Sequence, residues 1–434
     1  MRARLGSGFG WLWSSYAVST YGTWIAFGTF PFIAVQVLHA SAFAVSLLES
    51  AGLAVAAIVA LPLGPWVEHR AKRPVMIAMD LVRFVALGSV PVAYLAGWLS
   101  YGQLLAVSVV SGAASIAFTA ASGAYLKHLV DAKHLLVANG RFEGTNWMAI
   151  AAGPPLGGAL IGLLGPVVTV TADAFSHLLS ALGIRRIRGG DTAAPRGAAT
   201  RLRAADLLNG WRSILHDRVL RRLFLNAMAV NGLIMASGPL LAVLLLGRYH
   251  FSALQYGLAF GVPALGGLVG ARLSARLVAR HGRHRVMIVS GWLRSAFPLG
   301  LVLARPGLTG LLIVIIIEAL LITSIGVFNP IGATERLRRT PADHVAQVIS
   351  AWSISSKLAQ AAFTMAWGVL GTLTDPLTAI AASGVLLLGT PFLLPRRKHM
   401  RDPVLSRRPR TPARPEAQGQ APAQQAPPSP WRCC

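Results

Sequence analysis

The sequence predicts an all-α integral membrane fold of about twelve transmembrane helices arranged as two pseudo-symmetric six-helix bundles. Three observations predict it. Of 434 residues, 54% are hydrophobic and only 13% charged, with a mean hydropathy of +0.58. An ordinary soluble domain carries about 25% charged residues, so a soluble enzyme, a disordered protein and a coiled coil are excluded. The basic residues fall into alternate loops, and the second half of the chain repeats features of the first.

Long apolar runs separated by short polar loops place spans near 11–37, 43–66, 75–96, 103–126, 144–164, 167–184, 223–247, 254–271, 286–304, 308–330, 347–372 and 377–395. Each run matches the roughly 20 residues that cross a bilayer as a helix. Residues 11–37 are too long for a cleaved signal and lack a clear small-residue cleavage site, so they read as the first spanning helix. The implied organisation is a six-helix half at 1–184, a linker at 185–222, a second half at 223–395, and a basic, Pro-rich tail at 396–434 expected to be disordered. Within the linker, Leu207, Leu208, Trp211, Ile214 and Leu215 recur at helical spacing. That stripe suits a helix lying on the membrane surface or capping the bundle.

Lys and Arg total 40 against 15 Asp and Glu, a net charge of +25. With both termini cytoplasmic, 35 of the 40 basic residues lie on that side and only Arg248 and Arg305 outside. This is the positive-inside pattern. It makes the charge a matter of topology and attraction to anionic membrane lipid rather than of nucleic-acid binding. A plasma-membrane, multi-pass location follows. Cys433 and Cys434 are the only cysteines. They offer neither a disulfide framework nor a metal spacing, and no cofactor or metal is expected.

The repeat has an offset of about 211 residues. Val75-Met76-Ile77 recurs as Val286-Met287-Ile288, each after a basic cluster, and Arg83 falls on Arg294. Parallel six-helix halves are an architecture of secondary transporters with a site between the halves.

Certain motifs carry a family resemblance. Gly64-Pro65-Trp66-Val67-Glu68-His69-Arg70-Ala71-Lys72-Arg73 resembles the Gly-x-x-x-Asp-Arg-x-Gly-Arg-Arg loop of the major facilitator superfamily, with Glu68, His69 and Ala71 departing from it. Gly153-Pro154-Pro155-Leu156-Gly157-Gly158 resembles the Gly-Pro-x-x-Gly-Gly element of that superfamily's drug/proton antiporters. Ala138-Asn139-Gly140, Ala172-Asp173-Ala174-Phe175 and Asp217-Arg218-Val219-Leu220-Arg221-Arg222 look like the branch holding enterobactin exporters and macrolide efflux pumps. The resemblance implies alternating access by rocking halves. It implies a cytoplasmic gate at Gly64, Glu68, Lys72 and Arg73, and a seam at Gly153, Pro154, Gly157 and Gly158 that keeps the closed state from leaking ions. The residues themselves leave a plain packing seam equally open: Gly at i and i+4 permits close helix approach, and Pro154 and Pro155 remove backbone donors and are expected to kink the span.

Charges inside the membrane are costly and point to function. Asp80 and Arg83 are spaced to pair on one helix face near the cytoplasmic end, as a structural or gating pair. Arg294 lacks the equivalent acid, Gly291 standing in its place, and its expected partner is the adjacent loop or a lipid phosphate. Glu49 and Glu318 have no opposite charge one turn away. A lone carboxylate in a low dielectric is costly to ionise, the property a proton-coupling group needs. The same acids could instead serve as buried hydrogen-bonding groups. Asp173 and His177 suit a structural hydrogen bond or a proton relay. Glu143 is expected to open span five, favoured by the helix dipole. Lys357 would reach the cytoplasm or pair across the bundle, and Tyr16, Tyr21, Asn226 and Asn231 would pack in the core or line a pathway.

The expected function is proton-coupled efflux of a small amphipathic compound (drug, antibiotic or siderophore-like metabolite) by a monomer. Its partners are the small-molecule substrate, protons and membrane lipid. The alternatives are a lipid or uncoupled small-molecule transporter of the same fold and, remotely, a membrane-embedded enzyme. No Walker A, HExxH or GxSxG element occurs.

Overall fold

The computed structural model describes residues 6–68, 70–131, 134–187, 204–340 and 344–395, with backbone alone at 56, 57, 59–68, 127, 136, 204–208 and 346. Among these residues every element is helical. The helices of the first half are α1 (Gly6–Ile25), α2 (Ala42–Glu68), α3 (Lys72–Leu95), α4 (Tyr101–Leu129), α5 (Leu135–Leu164) and α6 (Pro166–Arg185). A connecting helix, α7 (Ala204–His216), precedes α8 (Arg218–Ala242), α9 (Ala253–His281), α10 (Arg283–Ala296), α11 (Gly307–Arg339), α12 (Val345–Leu373) and α13 (Pro376–Gly389). Ten of these segments are long and apolar enough to cross a membrane. Helix α2, apolar over Ala42–Val55, and the 29-residue α12 complete twelve membrane-length helices.

The two halves repeat in backbone detail. Helix α1 breaks after Ile25 and resumes as Thr29–Phe32 and a wider turn at Ile33–Val37; α8 runs into the same kind of turn at Val243–Arg248. Each turn ends in a histidine with positive φ, His39 at 50° and His250 at 52°. Leu38 N donates to Ile33 O at 3.0 Å and Tyr249 N to Leu244 O at 2.9 Å. All these pairs are 211 residues apart. The turns touch: Gln36 Nε2 donates to the Leu246 carbonyl at 2.5 Å. The break in α1 needs Gly28, with φ +79°, because the Tyr256 ring lies where a side chain would stand.

The seam of α5 joins the halves. A Cβ at Gly157 would collide with the Ile25 carbonyl, one at Gly158 with the Ala253 carbonyl, and one at Gly257 of α9 with the Pro154 carbonyl. Helix α5 runs unbroken through Pro154 and Pro155. Near the same end, α2 packs on α12: Phe43 N donates to Thr372 Oγ1 at 2.9 Å, and Gly368 sits against Ser46. These contacts lie at the end poor in Lys and Arg. Toward the basic end α5 and α9 part. Gly144 and Gly140 share the face of Ala151 and Trp147, seven residues on, yet a Cβ at either would meet nothing within 4 Å. Arg141, Glu143, Arg272 and Arg276 are exposed there.

One expectation is corrected. Helix α5 begins at Leu135, so Glu143 is two turns inside it rather than at its N-terminus, and the polar Ala138-Asn139-Gly140 stretch is helical. The predicted span at 11–37 falls within one membrane-length segment, Gly6–Val37, whose helix is interrupted at residues 26–28. The amphipathic helix α7 caps the second bundle. Its Ile214 is buried with Phe224, Val348 and Ala351, and Trp211 Nε1 donates to Ser355 Oγ at 2.9 Å.

Candidate functional site

Polar groups inside the apolar bundle fall into three places. The first lies between α1, α3 and α6. Asp80 and His177 are fully buried. Arg83 Nη1 stands 3.7 Å from Asp80 Oδ1, the i,i+3 spacing bringing them together. His177 lies between two carboxylates, Nδ1 3.4 Å from Asp80 and Nε2 3.4 Å from Asp173. Thr23 Oγ1 and Ser176 Oγ donate to Asp173 Oδ1, each at 3.4 Å. One imidazole thus ties α3 to α6, and both acids stand as counter-charges near Arg83. Such a network is stable as a whole and costly to break in part.

The second place is the repeat-related position in the other half. Arg294 is 3% exposed. Its guanidinium donates to Asn226 Oδ1 and lies 3.4 Å from the centroid of the Phe328 ring, a cation–π contact. Asn226 in turn donates to the Thr390 carbonyl at 2.8 Å. The expected loop or lipid-phosphate partner is therefore corrected: Asn226 of α8 and Phe328 of α11 hold the arginine. Asn226 is a core residue. Asn231, by contrast, lines a cleft of about 260 Å³ with Arg294, Phe328, Asn329, Arg336 and Trp352.

The third place is the interface of the halves. The Glu49 carboxylate approaches α8 from α2, 3.9 Å from where a Cβ on Gly238 would stand, and the residue is exposed. Glu318 is half-buried on α11, one turn before Ile322, which packs at Gly267 beside Trp147 of α5. Neither acid has an ion pair within 4 Å among the described residues. The same holds for Lys357, half-buried on α12. Aromatic rings bridge the halves nearby, Trp24–Phe27 at 5.6 Å, Phe27–Phe260 at 5.5 Å and Tyr256–Phe260 at 4.9 Å between centroids.

At the expected gate, Lys72 Nζ donates to the Arg70 carbonyl at 2.6 Å, and Arg73 donates to the Ile184 and Arg185 carbonyls. Gly64 and Glu68 close α2, and their surroundings lie outside the described residues, as do the tail and Cys433 and Cys434. Sequence reasoning missed Glu335. It receives Arg339 Nε at 2.6 Å and lies 3.5 Å from Arg283, while Arg339 also reaches Asp217 at 3.6 Å. The i,i+4 spacing of Glu335 and Arg339 was the available signal. Asp217 caps α8, accepting from Val219 N at 2.8 Å and Leu220 N at 2.7 Å.

Twelve membrane-length helices in two repeated halves define a multi-pass membrane protein. The chain belongs to the Major Facilitator Superfamily, whose sequence model matches residues 12–334 and again 223–433. The multidrug efflux pump Tap of Mycolicibacterium fortuitum is 26% identical over 278 residues, 62% of this chain and 66% of that protein. Tap of Mycobacterium tuberculosis is 28% identical over 283 residues, 61% of this chain and 64% of that protein. The chain thus spans slightly less than two thirds of the curated relatives it matches. The nucleoside transporter NupG shares the fold, with a TM-score of 0.71 at 11% identity over 89% of this chain and 98% of NupG.

Proposed function

We propose that the protein exports a small amphipathic compound across the plasma membrane by alternating access, driven by inward proton flow. The carrying observation is the pair of carboxylates, Glu49 and Glu318, set on opposite halves with no ion pair among the described residues. Each is a carboxylate that a proton or a cationic cargo can neutralise as its side of the interface opens. Export and multidrug cargo are suggested by the Tap pumps, and positive-inside asymmetry puts the basic end, with both termini, in the cytoplasm. In that orientation α5 and α9 part toward the cytoplasm, the side from which an exporter loads. A proton crossing about 100 mV supplies about 2.3 kcal/mol. The protein acts as a monomer, exchanging substrate and protons within membrane lipid.

The test is a panel of toxic compounds applied to a pump-deleted host, followed by export into everted vesicles. Collapsing the proton gradient should stop export, and Glu49→Gln or Glu318→Gln should uncouple it while the protein still folds. Export that persists unchanged after gradient collapse, with both variants active, would overturn proton coupling and favour uncoupled or lipid movement.

A further inference from the structure

The two arginines Arg83 and Arg294 occupy equivalent places, 211 residues apart, and both are buried. Their surroundings differ in one respect that the repeat makes visible. Arg83 has Asp80 at 3.7 Å, and Asp173 one histidine away. At the same offset, Asp80 corresponds to Gly291 and Asp173 to Gly384. The second half keeps the cation and replaces both counter-charges with glycine. Gly291 is filled against Leu394 and Gly384 against Leu299, so neither position leaves room for an anion.

The charge has to be met elsewhere, because a buried cation without a counter-ion is among the costliest groups a membrane protein can hold. Asn226 supplies one acceptor and Phe328 a ring face. Arg294 Nε has no partner among the described residues. The cleft that Arg294 lines is shared with a second guanidinium, that of Arg336, which lies 4.8 Å over Trp352 and also has an unpartnered Nε. The neighbouring acid, Glu335, is committed to Arg283 and Arg339. Among the described residues the cleft therefore presents two cations, the amides of Asn231 and Asn329, aromatic walls at Phe328 and Trp352, and no carboxylate. Guanidinium donors matched to oxygen acceptors are the standard means of reading a carboxylate or phosphate. At about 260 Å³ the cleft is smaller than the roughly 300–1,000 Å³ of a site for a whole drug-sized ligand, so it suits one group of a larger molecule.

We propose that the cleft between α8, α10, α11 and α12 is a binding subsite for an anionic group, carboxylate or phosphate, with Arg294 and Arg336 as its counter-charges. The inference rests on the transport reading in one respect only: the anionic group is taken to belong to the cargo.

The test uses the full chain in phosphatidylcholine nanodiscs, titrated calorimetrically with 2-naphthoate and with its uncharged twin 2-naphthamide. The acid should bind at least about tenfold more tightly than the amide, the effect of one charge-assisted hydrogen bond. Arg336→Gln should bring the acid down to the level of the amide, and Arg336→Lys should recover part of the difference. Arg294→Gln should act alike, provided it remains monodisperse; Arg336→Gln decides the matter if it does not. Equal binding of acid and amide, or unchanged acid binding in Arg336→Gln, overturns the proposal. Competition by inorganic phosphate or by phosphatidylglycerol in the disc distinguishes a free ion and a lipid headgroup from an acid on the cargo. Because binding is read without transport, a failed export assay leaves this result standing, and a failed binding result leaves export untouched.

Discussion

Arg73 Nε donates to the Ile184 carbonyl at 3.2 Å, and His284 Nε2 meets the Pro395 carbonyl at the same 3.2 Å, His284 and Pro395 each lying 211 positions beyond Arg73 and Ile184. The side chains differ, yet the job is the same: a nitrogen donor at the start of one helix ties down the carbonyl end of another. A cation there also meets the negative end of the helix dipole. What the repeat preserves is the donor, supplied by a guanidinium in the first half and by an imidazole in the second.

That distinction predicts unequal effects. Arg73→Gln removes a cation from two carbonyls and should lower stability by about 1–2 kcal/mol. His284→Gln keeps a donor and should cost less than about 1 kcal/mol. Thermal unfolding in detergent measures both, and equal losses would count against the account.

The network around His177 predicts strong coupling. Asp80→Asn leaves Arg83 buried without its nearest counter-charge, and removing one member of a buried pair costs about 3–5 kcal/mol. Adding Arg83→Met should recover much of that loss, because the stranded charge goes too. A double-mutant cycle on unfolding midpoints should therefore show a coupling above about 1 kcal/mol. Additive losses would mean that the pair does not act as one.

How much of this was legible in the sequence follows from the range of each interaction. Asp80–Arg83 and Glu335–Arg339 lie within one or two turns, so spacing alone can suggest them, although only the first was read. The basic loops told the helices apart because charge is excluded from lipid, and that rule acts along the chain. The contact of His177 with Asp80 spans 97 residues, and that of Arg294 with Asn226 spans 68. No local pattern encodes which helices adjoin, so the first went unseen and the second was given the wrong partner. Glu143 was misplaced for another reason: a helix that extends past the lipid into polar residues gives no hydropathy signal where it begins.

The glycines of α5 allow a comparison within one helix. A methyl group at Gly157 would strike the Ile25 carbonyl, backbone that cannot turn aside, whereas one at Gly162 would meet nothing within 4 Å. Gly157→Ala should destabilise by about 1–3 kcal/mol through forced separation of α5 from α1. Gly162→Ala should be neutral or stabilising by up to about 1 kcal/mol, from helix propensity alone. Unfolding midpoints of the two variants give the comparison, and a costly Gly162→Ala would mean that crowding is not what distinguishes the positions.

Closure of the halves at the end poor in basic residues can be tested by locking it. The Cβ that Gly371 of α12 would carry lies 3.6 Å from Ala42 Cβ of α2 in the other half, and 3.7 Å from Ala379 Cβ of α13 in its own. Both separations fall in the roughly 3.5–4.5 Å range that a disulfide spans. In a chain with Cys433 and Cys434 replaced by serine, Ala42→Cys with Gly371→Cys should cross-link on oxidation and arrest transport, with activity returning on reduction. Gly371→Cys with Ala379→Cys should cross-link as readily and leave transport running, because it joins helices that move together. If the bond between halves forms and cargo still crosses, that end does not have to open in the cycle, and rocking of two rigid bundles is the wrong description of this protein.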